Sequence, residues 1–345
     1  MKGDVLRPVH LLGSIPLANN HDVFEAVADT LRNHVTRVPD GETGKRTGWM
    51  RWLREVFELD PQLEPAGTTV KTHATGYTFG QFRPKPGVDP ETMAFREIGY
   101  ARFAQESYAE FAKLKTAGRF APSTRFQVCF PTPIGLLWSY VAPEYQRRLE
   151  RAMIDRFLDE VDATLAAIPH HELAIQWDTP HDLLTQEGAR DMVLDTGRDD
   201  LVRRWAGIAE HIPSSVDLGF HFCYGDSNSA HAVEPRDAGL MTEFANALTR
   251  GLPRDISYIH MPVPRNRNDE AFFAPLKNAQ WKPATTLYLG LVHLRDGAEG
   301  ASQRIRAAAA ARGAFGIATE CGFGRQPPES VKPLLRLHAE IAALN

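Results

Sequence analysis

The chain is poor in cysteine, has no excess charge and contains no long apolar run. Three cysteines in 345 residues argue against a disulfide framework and suit a reducing compartment, where a thiolate can serve as a ligand. No stretch reaches the roughly 18 apolar residues of a membrane-spanning helix. The opening MKGDVLRPVHLLGS lacks the apolar core and cleavage site of a signal peptide, so a cytoplasmic location is expected. A formal charge of -4 gives no general reason to expect nucleic acid or an anionic membrane as partner. Nucleophile-elbow chemistry would want G-x-S-x-G, which does not occur, and neither GSIP nor GFGR is a phosphate loop.

Short apolar runs do recur from end to end. Eight read as strands: VHLLGSI, HVTRVPDGE, STRFQVCF, ELAIQWD, VDLGFHFC, DISYIHM, TTLYLGLVH and FGIATEC. Amphipathic stretches lie between them, among them TGWMRWLREVFEL, PETMAFREIGYARFAQESYAEFAKLK and PEYQRRLERAMIDRFLDEVDATLAAI. Eight strand-then-helix units predict an α/β protein, a single (β/α)8 TIM barrel, whereas a doubly wound sheet would want a glycine-rich loop after the first strand. No composition break divides residues 1–345, so one domain is expected. The irregular stretch over residues 60–90 is too long for a simple connection and predicts an excursion over the barrel mouth. Its TTVKTHATGYTF reads as a hairpin, with a barrel strand as the alternative.

In such a barrel the site is built at the C-terminal ends of the strands. There the sequence sets Ser14, Asp40 and Glu42, Cys129, Gln176 and Asp178, His221 and Cys223, His260, His293, and Glu320 with Cys321. Capping residues would dominate a merely structural rim; this density of imidazole, thiol and carboxylate points to a site. His221 and Cys223 are one residue apart in a strand, so both side chains leave the same face. Cys321 ends another apolar run. Histidine and cysteine are preferred zinc ligands, and three protein ligands leave a position for substrate, which suggests a catalytic metal. Glu42, in PDGETG, suits an ammonium group or proton transfer. Asp178 reads either as a site residue or as a helix N-cap, and Trp138 either as core or as a stacking platform.

In its order along the strands this set resembles the catalytic barrel of cobalamin-independent methionine synthase, in the superfamily of uroporphyrinogen decarboxylase. The resemblance implies that Gly13 and Ser14 hold an amino-acid substrate, that Glu42 and Asp178 meet its amine, and that Trp138 matches the aromatic that lies near the folate in that family. It also implies that His221, Cys223 and Cys321 bind zinc, with His260 at the position of the family's remaining ligand, a glutamate. His293 then corresponds to the histidine of proton transfer, and Arg325 follows the last Cys-Gly pair; with Arg265 and Arg267 it is a candidate to receive a carboxylate or sulfonate. The expected function is zinc-dependent transfer of an alkyl (methyl) group to a small-molecule thiol, from a donor the sequence does not identify. A zinc-dependent lyase or decarboxylase on the same barrel, and a non-catalytic metal-binding homologue, are the alternatives. A homo-oligomer is left open.

Overall fold

A computed structural model describes residues 7–72, 77–225 and 231–344. Among them are nine strands: β1 (Arg37–Pro39), β2 (Leu63–Lys71), β3 (Thr78–Pro84), β4 (Arg125–Pro131), β5 (Leu173–Asp178), β6 (Asp217–His221), β7 (Tyr258–Pro262), β8 (Thr286–Gly290) and β9 (Gly316–Ile317). Seven of these form one parallel sheet in the order β1-β4-β5-β6-β7-β8-β9. The first predicted strand differs from expectation. It makes no ladder; Val9 bridges singly to Val35 on one side and to Ile317 on the other, so one segment touches both edges of the curled sheet. The physical reason lies in where its carbonyls go: Leu11 O accepts from Gln127 Nε2 at 3.0 Å and Leu12 O from Gln176 Nε2 at 3.1 Å. Inward-facing glutamines take the acceptors that a neighbouring strand would otherwise use.

Period-two alternation sorts the sheet's two faces. On β4 and β5, Phe126, Val128, Phe130, Leu173, Ile175 and Trp177 belong to the apolar core, while the alternate positions carry Gln127, Cys129, Gln176 and Asp178. Polar interiors are costly unless paired, and several of these groups are. Arg37 lies 4.3 Å over the Tyr258 ring and pairs with Asp217 at 2.6 Å. His10 Nε2 meets Gln176 Oε1 at 2.8 Å. Two tyrosines fill the remaining space because glycines oppose them: a Cβ on Gly219 would lie 2.0 Å from Tyr258 Cζ, and one on Gly316 would lie 2.4 Å from Tyr288 Cδ1.

Helices cover the outer face. Tyr100–Thr116 packs on Pro143–Ala167, and Asn20–Leu31 on Val331–Ala342. The first of these begins ten residues later than the pattern from Pro90 predicts. Gly99 (φ 106) breaks the helical path and supplies no side-chain cap. Instead, buried Glu160 accepts from the backbone N–H groups of Ile98, Gly99 and Ala101 at 2.8–3.0 Å. The stretch over residues 60–90 contains the antiparallel pair β2–β3, separate from the parallel sheet; part of its tip lies outside the described residues. Among the described residues, no helix is long and apolar enough to cross a membrane.

Candidate metal centre and substrate cleft

Strand register brings the candidate residues together. Asp178 on β5 stands opposite His221 on β6, and His221 opposite His260 on β7, one row at the C-terminal ends. Past β6, Phe222 N still bonds His260 O at 3.0 Å, which holds the backbone extended up to Cys223. Cys321 arrives four residues beyond β9. The donor atoms of His221, Cys223 and Cys321 all lie within 4.8 Å of one another, and the two sulfurs are 3.7 Å apart.

Proton positions around His221 follow from its neighbours. His260 Nε2 faces the carbonyl of Thr319 at 3.0 Å, and a carbonyl can only accept, so Nε2 carries the hydrogen. Burial pushes His260 down to about 3, so its ring is neutral and its Nδ1 is an acceptor. With His260 in that tautomer, His221 Nδ1, 2.8 Å away, is the donor to it. Burial, then the neighbouring His260, also holds His221 well below the ordinary imidazole range. Its Nε2 is left with a lone pair. That atom is buried and has no hydrogen-bond partner, the condition of a nitrogen kept for a ligand. Nitrogen and two thiols are a donor set that fits zinc. His260 stands behind His221 and orients it, and is outside the converging group.

Ser14 and Asp178 line the opposite wall, with the Glu42 carboxylate behind Ser14. Gly13 (φ 126) and Gly41 (φ 81) take left-handed turns that bring the Ser14 hydroxyl to Glu42 Oε2, to which it donates. A side chain at Gly41 would strike Val23 Cγ2 at 2.7 Å. Burial raises the Glu42 carboxyl; the Ser14 bond and Arg46 partly oppose it. Asp178 is pushed well above its usual range by burial and then by Glu42. It does not cap the helix Pro180–Gln186: Gln176 Nε2 donates to its Oδ1 at 2.9 Å, and the Trp49 indole bonds it as well. Among the described residues, the two non-glycine positions with positive φ are Glu42 (51°) and Trp49 (61°). Each such conformation costs about 1–3 kcal/mol and persists where the surroundings impose it, commonly at functional sites.

A cleft joins these walls, lined by Ser14, Trp49, Asp178, His221, Cys223 and Arg325 among others. Trp49 was not singled out in the sequence, where TGWMRWLREVFEL reads as one helix; the preceding Gly48 (φ 92) was the available sign of a break. Trp138 does not line this cleft. It packs 4.8 Å from His181, with its indole donating to Asp191 O. Gly324 was also unrecognised: a Cβ there would meet Ser14 Cβ at 2.7 Å.

His293 opens onto a second, neighbouring cavity, which shares Cys321 and Gly322 with the first. Its Nε2 bonds Val263 O at 3.0 Å and its Nδ1 lies 2.7 Å from Glu320. On the other side Glu320 meets His231 at 2.8 Å, a residue no sequence pattern marks. Burial alone would raise Glu320, but the two imidazoles hold it down at about 2. Arg265 reaches this second cavity, whereas Arg267 is engaged with Asp269.

No protein-family model matches the chain, and no curated protein matches it by sequence. Solved structures do match in fold. A B12-independent methionine synthase from Shewanella sp. W3-18-1, solved in complex with selenomethionine, is similar with a TM-score of 0.60 at 16% identity, covering 98% of this chain and 96% of that one. A protein from Listeria monocytogenes assigned as a vitamin-B12-independent methionine synthase gives 0.55 at 15%, over 94% and 86%. A methyltransferase from Methanosarcina mazei gives 0.51 at 14%, over 96% and 95%. The fold of this chain is thus one it shares with B12-independent methionine synthase-like and methyltransferase proteins, the family that its strand-end residues resemble.

Proposed function

We propose that the protein is a zinc-dependent transferase that activates a small thiol for alkyl transfer, on a (β/α)8 barrel closed by the Val9 segment. The observation that carries this reading is the orphaned, lone-pair-bearing Nε2 of His221 beside two thiols. Such a set has little purpose in a purely structural rim. His221, Cys223 and Cys321 would hold the ion. Bound there, zinc supplies Lewis acidity that lowers a thiol's pKa, so that a thiolate is available near neutral pH.

The remaining residues bind, orient and move protons. Glu42 and Asp178 accept the substrate's ammonium; two buried carboxyls with raised affinity for protons are the complement of a cation. Ser14 fixes the Glu42 carboxylate through its hydroxyl. Trp49 bonds Asp178 and covers the cleft. We assign the proton transfer to His293, supported by its cavity's reaching Cys321. Attack of the thiolate on the donor's activated carbon forms the C–S bond as the donor's bond to that carbon breaks, and the donor leaves with the electron pair.

Calorimetry with homocysteine, cysteine, coenzyme M and glutathione, with and without zinc, tests the reading. An amine-bearing thiol is expected to bind, and to lose affinity when zinc is removed. If no thiol binds, or binding is indifferent to zinc, thiol activation is the wrong chemistry and zinc-assisted lysis or decarboxylation replaces it.

A further inference from the structure

A third cavity adjoins the cleft and shares Trp49, Pro180, Gly225 and Arg325 with it. Its character is the opposite of the carboxylate wall. Arg51, Arg190 and Arg325 all line it, and no Asp or Glu does among the described residues. Arg190 is 8% exposed and has no ion-pair partner among the described residues. Its guanidinium lies 4.4 Å over the Trp138 ring, Nη1 makes only a long contact with Ala189 O at 3.5 Å, and Nε is buried without a hydrogen-bond partner. Beside it, His181 Nδ1 is likewise buried and unbonded. The Trp49 and His181 rings stack at 5.8 Å and 9°, and Arg51 lies 4.2 Å over Tyr77 at the mouth.

Burying a guanidinium without a charged partner is expensive, and burial lowers Arg190 to about 10. Arg51 is lowered too, by burial and then by Arg325. A cationic, aromatic cavity with unused donors matches a flat oxyanion, because the planar guanidinium edge accepts a carboxylate or phosphate in two parallel hydrogen bonds. Trp138, which the sequence offered as a platform for substrate, here backs the guanidinium from behind.

We propose that this cavity is an oxyanion subsite, built on Arg190 and His181 with Arg51 at its mouth, that holds a carboxylate or phosphate group of the second substrate, the alkyl donor. The inference rests on the two-substrate reading above: the acidic wall takes the thiol's amine, so the basic cavity is left for the other reactant. A neutral donor would leave the buried Arg190 guanidinium without a charged partner among the described residues.

The test titrates benzoate, phenyl phosphate and neutral benzamide into the full chain, followed by indole fluorescence and calorimetry, with native and with chelator-treated protein. At least one anion is expected to bind, and the stronger of the two identifies the group; benzamide is expected not to bind. Chelation should leave the anion's affinity unchanged, so that failure of thiol activation and failure of this subsite are read separately. Arg190→Gln is expected to weaken the anion by about tenfold or more, and Arg51→Gln, at the half-buried mouth, gives the same readout should the first variant not fold. Saturating homocysteine should not displace the anion. Equal binding of benzamide, no binding of either anion, indifference to both substitutions, or displacement by the thiol would each overturn the proposal.

Discussion

His221 shows how a single side chain is prepared by what lies behind it. Thr319 O fixes the hydrogen on His260, His260 fixes the hydrogen on His221, and the free Nε2 is the outcome. Two predictions belong at this scale. Because His260 acts through His221, His260→Ala is expected to cost about 10- to 100-fold in zinc affinity, while Cys321→Ser removes a donor outright and costs more; competition with a chromophoric chelator measures both. Equal losses would make His260 a ligand in its own right. The second concerns Glu42 and Asp178, whose carboxyls burial raises above their usual range. An arriving ammonium favours the ionised forms, so its binding should release protons at mildly acidic pH. Calorimetry in buffers of differing ionisation enthalpy reads that release directly, and Glu42→Gln should diminish it and weaken binding by about 10- to 100-fold.

Among the elements, β6 and β7 set the site's floor. Gly219 exists to admit the Tyr258 ring, and a methyl group 2.0 Å from Cζ cannot be accommodated without moving a packed strand. Gly219→Ala is expected to destabilise the protein by about 1–3 kcal/mol or more, seen as a lower urea midpoint at unchanged slope; an unchanged midpoint would mean the interior is loosely packed. Element identity was largely legible in the sequence because apolar runs of the right length mark strands whichever side they face. Two features were not. The start of Tyr100–Thr116 depends on Glu160, 60 residues away and silent in any local pattern. The Val9 segment has the composition of a strand, yet its carbonyls serve Gln127 and Gln176, partners that exist only once the sheet has curled.

For the whole molecule, electrostatics tie separate loops into one rim. His231 lies between Glu234 at 3.3 Å and Glu320 at 2.8 Å. Burial would depress its pKa, but the two carboxylates more than offset that and raise it to about 10. A folded value above the unfolded value of about 6.5 means that the charged form is stabilised by folding. Its contribution is full below about pH 6.5 and is lost as the pH climbs through 10. Denaturant midpoints should therefore fall over that window in the native protein and fall less in His231→Gln; parallel curves would remove His231 from the balance. The convergence of His221, Cys223 and Cys321 could be read from sequence because strand periodicity and strand-end position constrain it, whereas Trp49, His231 and the arginine cavity come from loops and short helical turns whose paths no periodicity encodes.

The central claim is that His221, Cys223 and Cys321 hold a zinc ion that a substrate thiol then joins. Zinc X-ray absorption on the purified protein tests it most directly, since Zn–S and Zn–N distances of about 2.3 and 2.0 Å are resolved from each other. Two sulfur neighbours are predicted for the protein alone, one in Cys321→Ser, and three once an amine-bearing thiol is added to the native protein. A sulfur count that does not rise with the thiol, or zinc content unchanged by loss of Cys321, would contradict the account.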